Sequence, residues 1–93
     1  MMIHIQVVGR VQGVGFRAWA QKRAESLSLS GWVRNRADGS VEILLDGDQT
    51  DAFLTACRRG PFFARVDKIT PVSIPSAPVF PIEYGCCQIL ATV

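Results

Sequence analysis

The sequence predicts an α+β fold in which two helices pack on one face of an antiparallel sheet. Three features predict it: short segments in which apolar residues alternate, two segments with apolar residues at helical spacing, and the order of these segments. That order is strand, helix, strand, strand, helix and strand, which is the split βαβ, or ferredoxin-like, arrangement. We therefore expect a βαββαβ sandwich with a four-stranded antiparallel sheet, to which a short C-terminal strand is added.

Length and composition bound the domain and its partners. The 93 residues make one domain, 1–93, and an apolar content of 48% is enough for a compact core. The net charge of +2 is too small to indicate nucleic acid, but it suits a small anionic ligand. No apolar run approaches the roughly 18 residues of a membrane span, and the N-terminus lacks the pattern of a secretion signal. The three cysteines form no disulfide framework, so we expect a cytoplasmic protein.

The first strand is expected at residues 3–8, where apolar residues alternate with His4 and Gln6. His4 is the only histidine of the sequence. Because no acidic or nucleophilic residue adjoins it, we expect a half-exposed strand residue and not a general base.

A glycine-rich loop follows at residues 9–17, with glycines at positions 9, 13 and 15. Glycine permits the dihedrals that let backbone N–H groups converge on an anion, and the N-terminus of the next helix adds a partial positive charge. The loop is therefore either a phosphate or carboxylate cradle, or a tight turn whose glycines serve geometry alone. Arg17 favours the cradle, because a cation at a helix N-terminus opposes the helix dipole. The candidate phosphate-binding residues are Gln12, Gly13, Val14, Gly15, Phe16 and Arg17.

The first helix is expected from about Phe16 to about Leu29, where Gly31 is a stop signal. Its apolar stripe is Phe16, Ala20, Ala24 and Leu27. Lys22 and Arg23 are expected on the solvated face.

A hairpin is expected next, with strands at residues 31–36 and 41–46 joined by a turn that contains Asp38 and Gly39. Asn35 lies at the end of the first of these strands. From the residues alone, a turn-capping side chain is its most ordinary role.

The second helix is expected from residues 47–50 to Arg59, with Asp48 or Thr50 as its N-cap and Gly60 and Pro61 as its stop. Its apolar stripe includes a buried Cys57. A strand at residues 66–74 should be an edge strand or carry a bulge, because Pro71 interrupts it. The final strand is expected at residues 80–84 or at residues 88–93.

The chemistry of the loop and of the strand that ends at Asn35 indicates hydrolysis by water. Residues 9–17 and 31–35 contain no Ser, Cys, Asp, Glu or His, so a covalent intermediate has no obvious candidate. The Asn35 amide both donates and accepts hydrogen bonds and is suited to orient a water molecule. With no general acid, the leaving group should be a weak base such as a carboxylate. No metal-ligand spacing occurs, so we expect neither metal nor cofactor.

Residues 9–17 (GRVQGVGFR) and 31–35 (GWVRN) together resemble the two signature stretches of the acylphosphatase family, and the resemblance extends over residues 3–74. It implies an enzyme that hydrolyses acyl phosphates, with Arg17 binding the phosphate and Asn35 holding the attacking water. The expected partners are an acyl phosphate substrate and inorganic phosphate as product or inhibitor, with no nucleic acid and no membrane. We expect a monomer.

Two other functions are compatible with the predicted fold. A ferredoxin-like RNA-binding module would carry aromatic residues on its central strands, and residues 3–8 and 41–46 have none. A non-catalytic anion-binding or regulatory domain remains open, because the same fold occurs as the N-terminal part of a large carbamoyl-transferring maturation protein.

Overall fold

In the computed structural model, which describes residues 1–72 and 81–93, two helices cover one face of a β-sheet. In the described residues the strands are β1 (Met2–Arg10), β2 (Ser30–Asn35), β3 (Val41–Asp46), β4 (Arg65–Pro71) and β5 (Cys87–Ile89). The helices are α1 (Phe16–Ser26) and α2 (Thr50–Arg59). In this part of the chain, no helix is long and apolar enough to cross a membrane.

The strand order in the sheet is β4-β1-β3-β2-β5. β1 is antiparallel to β3 and to β4, and β2 is antiparallel to β3, so the predicted ferredoxin-like arrangement is confirmed. β5 is parallel to β2, with Val33 opposite Ile89, which makes the complete sheet mixed. The final strand therefore overlaps the predicted 88–93 segment. Of the alternative segment 80–84, residues 81–84 form no strand and residue 80 lies outside the described residues.

The main core lies between the sheet and the two helices. The largest side chains buried there are Phe16 from α1, Phe53 from α2, Ile43 from β3 and Leu29. Burying one such side chain contributes about 1.5–3 kcal/mol, so these residues hold the helices against the sheet. Ala20 and Ala24 let α1 approach the sheet closely, and Cys57 is buried as predicted.

The opposite face of the sheet contains a buried ionic cluster that corrects the prediction for His4. His4 is only 7% exposed, and its Nε2 lies 2.6 Å from Oε2 of Glu42. Arg34 and Arg36 each donate to Oε1 of Glu42 at 2.9 Å. The prediction of a half-exposed His4 was wrong, because its partner Glu42 lies on another strand, 38 residues away in sequence.

Several boundaries differ from the predicted ones. α1 ends at Ser26, because Ser28 adopts a left-handed conformation (φ 57°) and sends Leu29 into the core. The N-cap of α2 is Gln49, without a side-chain capping bond, so Asp48 and Thr50 were wrong.

β4 is an edge strand, as Pro71 predicted. The pairing between β1 and β4 is irregular at a point away from Pro71, because its register shifts between Val8 and Gly9 of β1. Residues 73 and 74 of the predicted 66–74 strand lie outside the described residues.

Candidate functional site

The loop between β1 and α1 depends on glycine at two positions. Gly13 has φ 75° and Gly15 has φ 79°, in the left-handed region that side chains with a Cβ rarely adopt. A Cβ at either position would meet no atom within 4 Å, so the backbone conformation, not space, requires glycine. The turn from β1 into α1 therefore uses a left-handed conformation at two positions.

The first turn of α1 provides no acidic side chain of its own to the N-terminus of the helix. Gly15 is the N-cap and provides no side chain, and the first turn of α1, which the structure describes in full, contains no acidic residue. The first N–H groups of a helix have no intrahelical partners and carry a partial positive charge. Together with the guanidinium of Arg17, they make this end of α1 suited to an anion.

Arg17 and Asn35, which are far apart in sequence, line the same cleft. Its volume is about 190 Å³, which suits a small ligand. Arg17 is the one charged residue among the described residues that line it. Those residues are Val11, Gly13, Gly15, Phe16, Arg17, Ala18, Asn35 and Ile89. Of the predicted phosphate-binding residues, Gln12 and Val14 do not line the cleft.

Asn35 lines this cleft, and its side-chain acceptor has no partner in the described residues. It is the last residue of β2, and its Oδ1 is buried without a hydrogen-bond partner among residues 1–72 and 81–93. Buried polar atoms are rarely left unpaired, and a water molecule donating to Oδ1 would satisfy it. The ordinary turn-capping role belongs instead to Asp38, whose Oδ1 accepts from the backbone N–H of Ser40 at 3.0 Å.

The side chain of Gln12 connects the loop to the β2–β3 turn. Its Nε2 donates to the main-chain oxygens of Arg36 at 2.7 Å and Ser40 at 2.8 Å. Sequence reasoning placed Gln12 in the loop but missed these contacts, because nothing in the local sequence indicates a partner more than twenty residues away.

β5 and the residues after it are held along β2, and one of them, Ile89, borders the cleft. The backbone N–H of Leu90 donates to Val33 at 2.9 Å, and that of Val93 donates to the main-chain oxygen of Asn35 at 3.0 Å. Ile89, 40% exposed, forms an apolar wall of the cleft. The sequence did not single out Ile89, since a three-residue strand shows too little alternation to identify its inward face.

The other reactive groups of the described chain are separate from the cleft. Burial raises the pKa of Cys57 to about 12, which keeps this thiol protonated. Burial, and secondarily Glu25 and Cys86, raises the pKa of Cys87 to about 12 as well. Among residues 1–72 and 81–93, no group of three or more His, Cys, Asp or Glu side chains could hold a metal ion.

A larger groove of about 350 Å³ lies between α2 and β4. It presents Arg58 and Lys68, but the carboxylate of Asp67 also lines it, and it has no glycine loop at a helix N-terminus. The smaller cleft is therefore the better anion site.

Comparison of the sequence with known proteins gives a consistent set of relatives. A family model described as Acylphosphatase matches residues 3–81. A protein named Acylphosphatase from Rhodospirillum rubrum is 50% identical over 80 residues, which cover 82% of this chain and 88% of the relative. Another of that name, from Acidiphilium cryptum, is 56% identical over 68 residues, covering 71% of this chain and 75% of the relative.

Solved structures with a similar fold include stand-alone proteins and part of a longer one. The acylphosphatase from Bacillus subtilis is 37% identical, with a TM-score of 0.80, and the match covers 96% of this chain and 97% of that chain. HypF from T. kodakarensis is 31% identical, with a TM-score of 0.78, and the match covers 100% of this chain but 12% of that chain.

Proposed function

Because this chain belongs to the acylphosphatase family, we propose that it hydrolyses the carboxyl–phosphate anhydride bond of acyl phosphates at the cleft between Arg17 and Asn35. The chain is an acylphosphatase, a hydrolase that acts on acid anhydrides, and its products are a carboxylate and inorganic phosphate. The observation that carries the assignment of the site is that Arg17 and Asn35 line one small cleft, and that the amide oxygen of Asn35 has no partner in the described residues.

The phosphate group occupies the loop end of the cleft. Backbone N–H groups of the loop residues that line the cleft, Gly13 and Gly15, and of Phe16 and Arg17 at the start of α1 contact its oxygens together with the guanidinium of Arg17, and the dipole of α1 adds to their field. In phosphoryl transfer, charge is spread over the equatorial oxygens, and fixed donors aimed at that charge supply most of the rate enhancement. The planar fork of an arginine fits two phosphate oxygens at once.

Water is the nucleophile, and Asn35 orients it. The Oδ1 atom accepts a hydrogen bond from the water, which turns an oxygen lone pair towards phosphorus. The bond between water oxygen and phosphorus forms as the bond between phosphorus and the carboxylate oxygen breaks. The proton of the water passes to a phosphate oxygen of the substrate, because no acid or base side chain lines the cleft in the described residues.

The leaving group departs without a general acid. A carboxylate is the conjugate base of an acid with a pKa of about 4, so it leaves unprotonated at neutral pH. An alkoxide from a phosphate monoester would need a proton at that step, and the described cleft residues offer none. This chemistry requires neither metal nor cofactor.

The test is hydrolysis of benzoyl phosphate by the purified protein, with and without a chelator, beside Arg17→Ala. We expect turnover that resists the chelator and disappears in the variant. Absence of turnover in a folded wild-type protein would refute the function.

The second candidate function is a non-catalytic anion-binding or regulatory domain. It is favoured by the similarity to 12% of the length of HypF from T. kodakarensis, where this fold is one part of a longer chain. In the same assay, this function predicts that the folded protein binds inorganic phosphate without turning over benzoyl phosphate.

We also propose a cellular location, an oligomeric state and a range of partners for the enzyme. We place it in the reducing cytoplasm, which agrees with the three free cysteines of the described residues. We expect a monomer that binds neither nucleic acid nor membrane, and light scattering of the purified protein would test its oligomeric state.

A further inference from the structure

The Gln12 side chain points towards the β2–β3 hairpin and does not line the cleft. It is half-buried, and its two donated hydrogen bonds have good lengths of 2.7 and 2.8 Å. Both partners are main-chain carbonyl oxygens, which only accept, so the orientation of the amide is fixed with the nitrogen towards the hairpin. Both amide protons are used in these two contacts.

One of the two carbonyl groups belongs to the residue after Asn35, and the other belongs to the residue before the cross-strand partner of Asn35. Arg36 follows Asn35 in the chain, and Ser40 precedes Val41, which is the residue paired with Asn35 across the two strands. The backbone N–H of Arg36 also donates to the Ser40 oxygen at 2.9 Å, which closes the hairpin at this point. A displacement of these carbonyls would therefore displace Asn35.

We infer that Gln12 is a positioning residue for the hydrolysis: its side chain fixes the hairpin that carries Asn35 at a set distance from the loop that holds the phosphate. The inference rests on the proposed function of this cleft. The backbone N–H of Gln12 contributes to the phosphate loop, whereas its side chain acts through Asn35 and touches neither substrate nor water.

The physical reason is the narrow geometry of an in-line attack. The water must lie opposite the leaving carboxylate and within reach of phosphorus, and a misplacement of about 1 Å can lower the rate about a hundredfold. The phosphate is held from β1 and α1, whereas the water is held from β2. The Gln12 side chain bridges these two parts.

The decisive variant is Gln12→Met, which keeps the length of the side chain and removes its donors. We expect kcat for benzoyl phosphate to fall by about tenfold to a hundredfold, because the water is misplaced. Inhibition by inorganic phosphate should change by less than about threefold, since the loop contacts remain. If Gln12→Met does not fold, Gln12→Asn, whose amide is one methylene too short to reach both carbonyls, replaces it.

Gln6→Met is the matched control. Gln6 lies on β1 and its Nε2 donates to Asp38 at 3.1 Å and to the Ser40 hydroxyl at 2.9 Å, so it supports the same turn without belonging to the phosphate loop. We expect Gln6→Met to keep its kcat. An equal loss of kcat in both variants would show general loosening of the turn and would overturn the inference.

The double variant with Asn35→Ala separates this inference from the proposed function. If Gln12 acts through Asn35, adding Gln12→Met to Asn35→Ala should lower kcat little further. Independent, multiplicative losses would overturn the positioning role. If Asn35→Ala itself keeps full turnover, the proposed water site fails instead, and that result is distinguishable from the first.

Discussion

At the scale of single residues, Arg17 and Asn35 divide the chemistry between charge and orientation. Arg17 is half-buried beside the open N-terminus of α1, where no acidic side chain of the described cleft competes for it. Asn35 offers a buried oxygen without a partner in the described chain. We therefore propose that Arg17 acts on the phosphate in substrate and transition state, whereas Asn35 acts on the water.

Replacing Arg17 should remove both binding and catalysis. We expect Arg17→Ala to lower kcat/KM by at least about a thousandfold, because a fixed donor aimed at the developing charge is lost. Arg17→Lys should restore little of it, since an ammonium group cannot form the two parallel bonds of a guanidinium. The measurement is steady-state hydrolysis of benzoyl phosphate together with inhibition by inorganic phosphate. Near-normal activity of Arg17→Lys would argue against bidentate binding.

Replacing Asn35 should affect turnover and spare phosphate binding. We expect Asn35→Ala to lower kcat by about a hundredfold while the inhibition constant of inorganic phosphate stays within about threefold. The reason is that Asn35, in the proposed mechanism, contacts the water and not the phosphate. Loss of phosphate inhibition in a folded Asn35→Ala variant would assign Asn35 to the phosphate instead.

At the scale of secondary-structure elements, β5 adds an apolar wall to the site. Its pairing with β2 places Ile89 at the cleft, whereas Gln88 lies opposite Trp32 and donates to Glu83 at 2.8 Å. Successive strand residues point to opposite faces of a sheet, so these neighbours form a matched pair for substitution.

A negative charge on β5 should therefore weaken substrate binding when it is placed at position 89, but not when it is placed at position 88. We expect Ile89→Asp to raise KM for benzoyl phosphate by about tenfold, which corresponds to about 1.4 kcal/mol of repulsion between like charges. Gln88→Asp should leave KM within about twofold, because its side chain lies on the other face. Equal KM values for the two variants would show that Ile89 does not border the bound phosphate.

The ionic cluster on the other face of the sheet ties β1, β2 and β3 together. Burial alone would raise the pKa of Glu42, but hydrogen bonds from Arg34, His4 and Arg36 outweigh it and hold this pKa below its usual value. A carboxyl group with a lowered folded pKa stabilises the protein above its unfolded pKa of about 4.3. That stabilisation is lost as the pH falls through the lower folded pKa.

Glu42→Gln should expose this dependence. We expect it to reduce the free energy of unfolding at pH 7 by about 3 kcal/mol, because Arg34 stays buried without its carboxylate. The difference from the wild type should shrink as the pH falls from the unfolded pKa of about 4.3 through the lower folded pKa, where the wild-type carboxylate becomes protonated. Urea unfolding at both pH values measures it, with the exposed Glu83→Gln as control. A difference that does not change with pH would contradict the assigned charge of Glu42.

The sequence predicted elements wherever the local pattern was sufficient. Alternation placed β3 at its observed bounds, Val41–Asp46, and the apolar stripe placed Phe16, Ala20 and Ala24 against the core. It could not predict contacts between distant segments. The Glu42 partner of His4 comes from another strand, and the Gln12 contacts reach across to the hairpin.

The functional site, too, could be predicted only where a local sequence pattern identified its residues. Two short motifs identified Arg17 and Asn35, and the structure brings both to one cleft. The place of Ile89 in the site could not be predicted. It depends on main-chain pairing between β5 and β2, and such pairing leaves little pattern in the sequence of side chains.

At the scale of the whole molecule, the cleft lies where three separate parts of the chain meet. The β1–α1 loop leads into Arg17 at the start of α1, the end of β2 supplies Asn35, and β5 supplies Ile89. The core between helices and sheet fixes the first two relative to each other, and Gln12 adds a direct link between them. In the proposed mechanism, the fold thus holds the phosphate and the water from different elements, as a displacement at phosphorus requires.

The measurement that tests the central claim most directly is hydrolysis of benzoyl phosphate in water labelled with oxygen-18, with Arg17→Ala as the background. If water held at Asn35 attacks phosphorus, mass spectrometry should find the label in inorganic phosphate and none in benzoate. Label in benzoate would mean that water attacks the carbonyl carbon, and it would contradict the roles assigned to the phosphate loop and to Asn35.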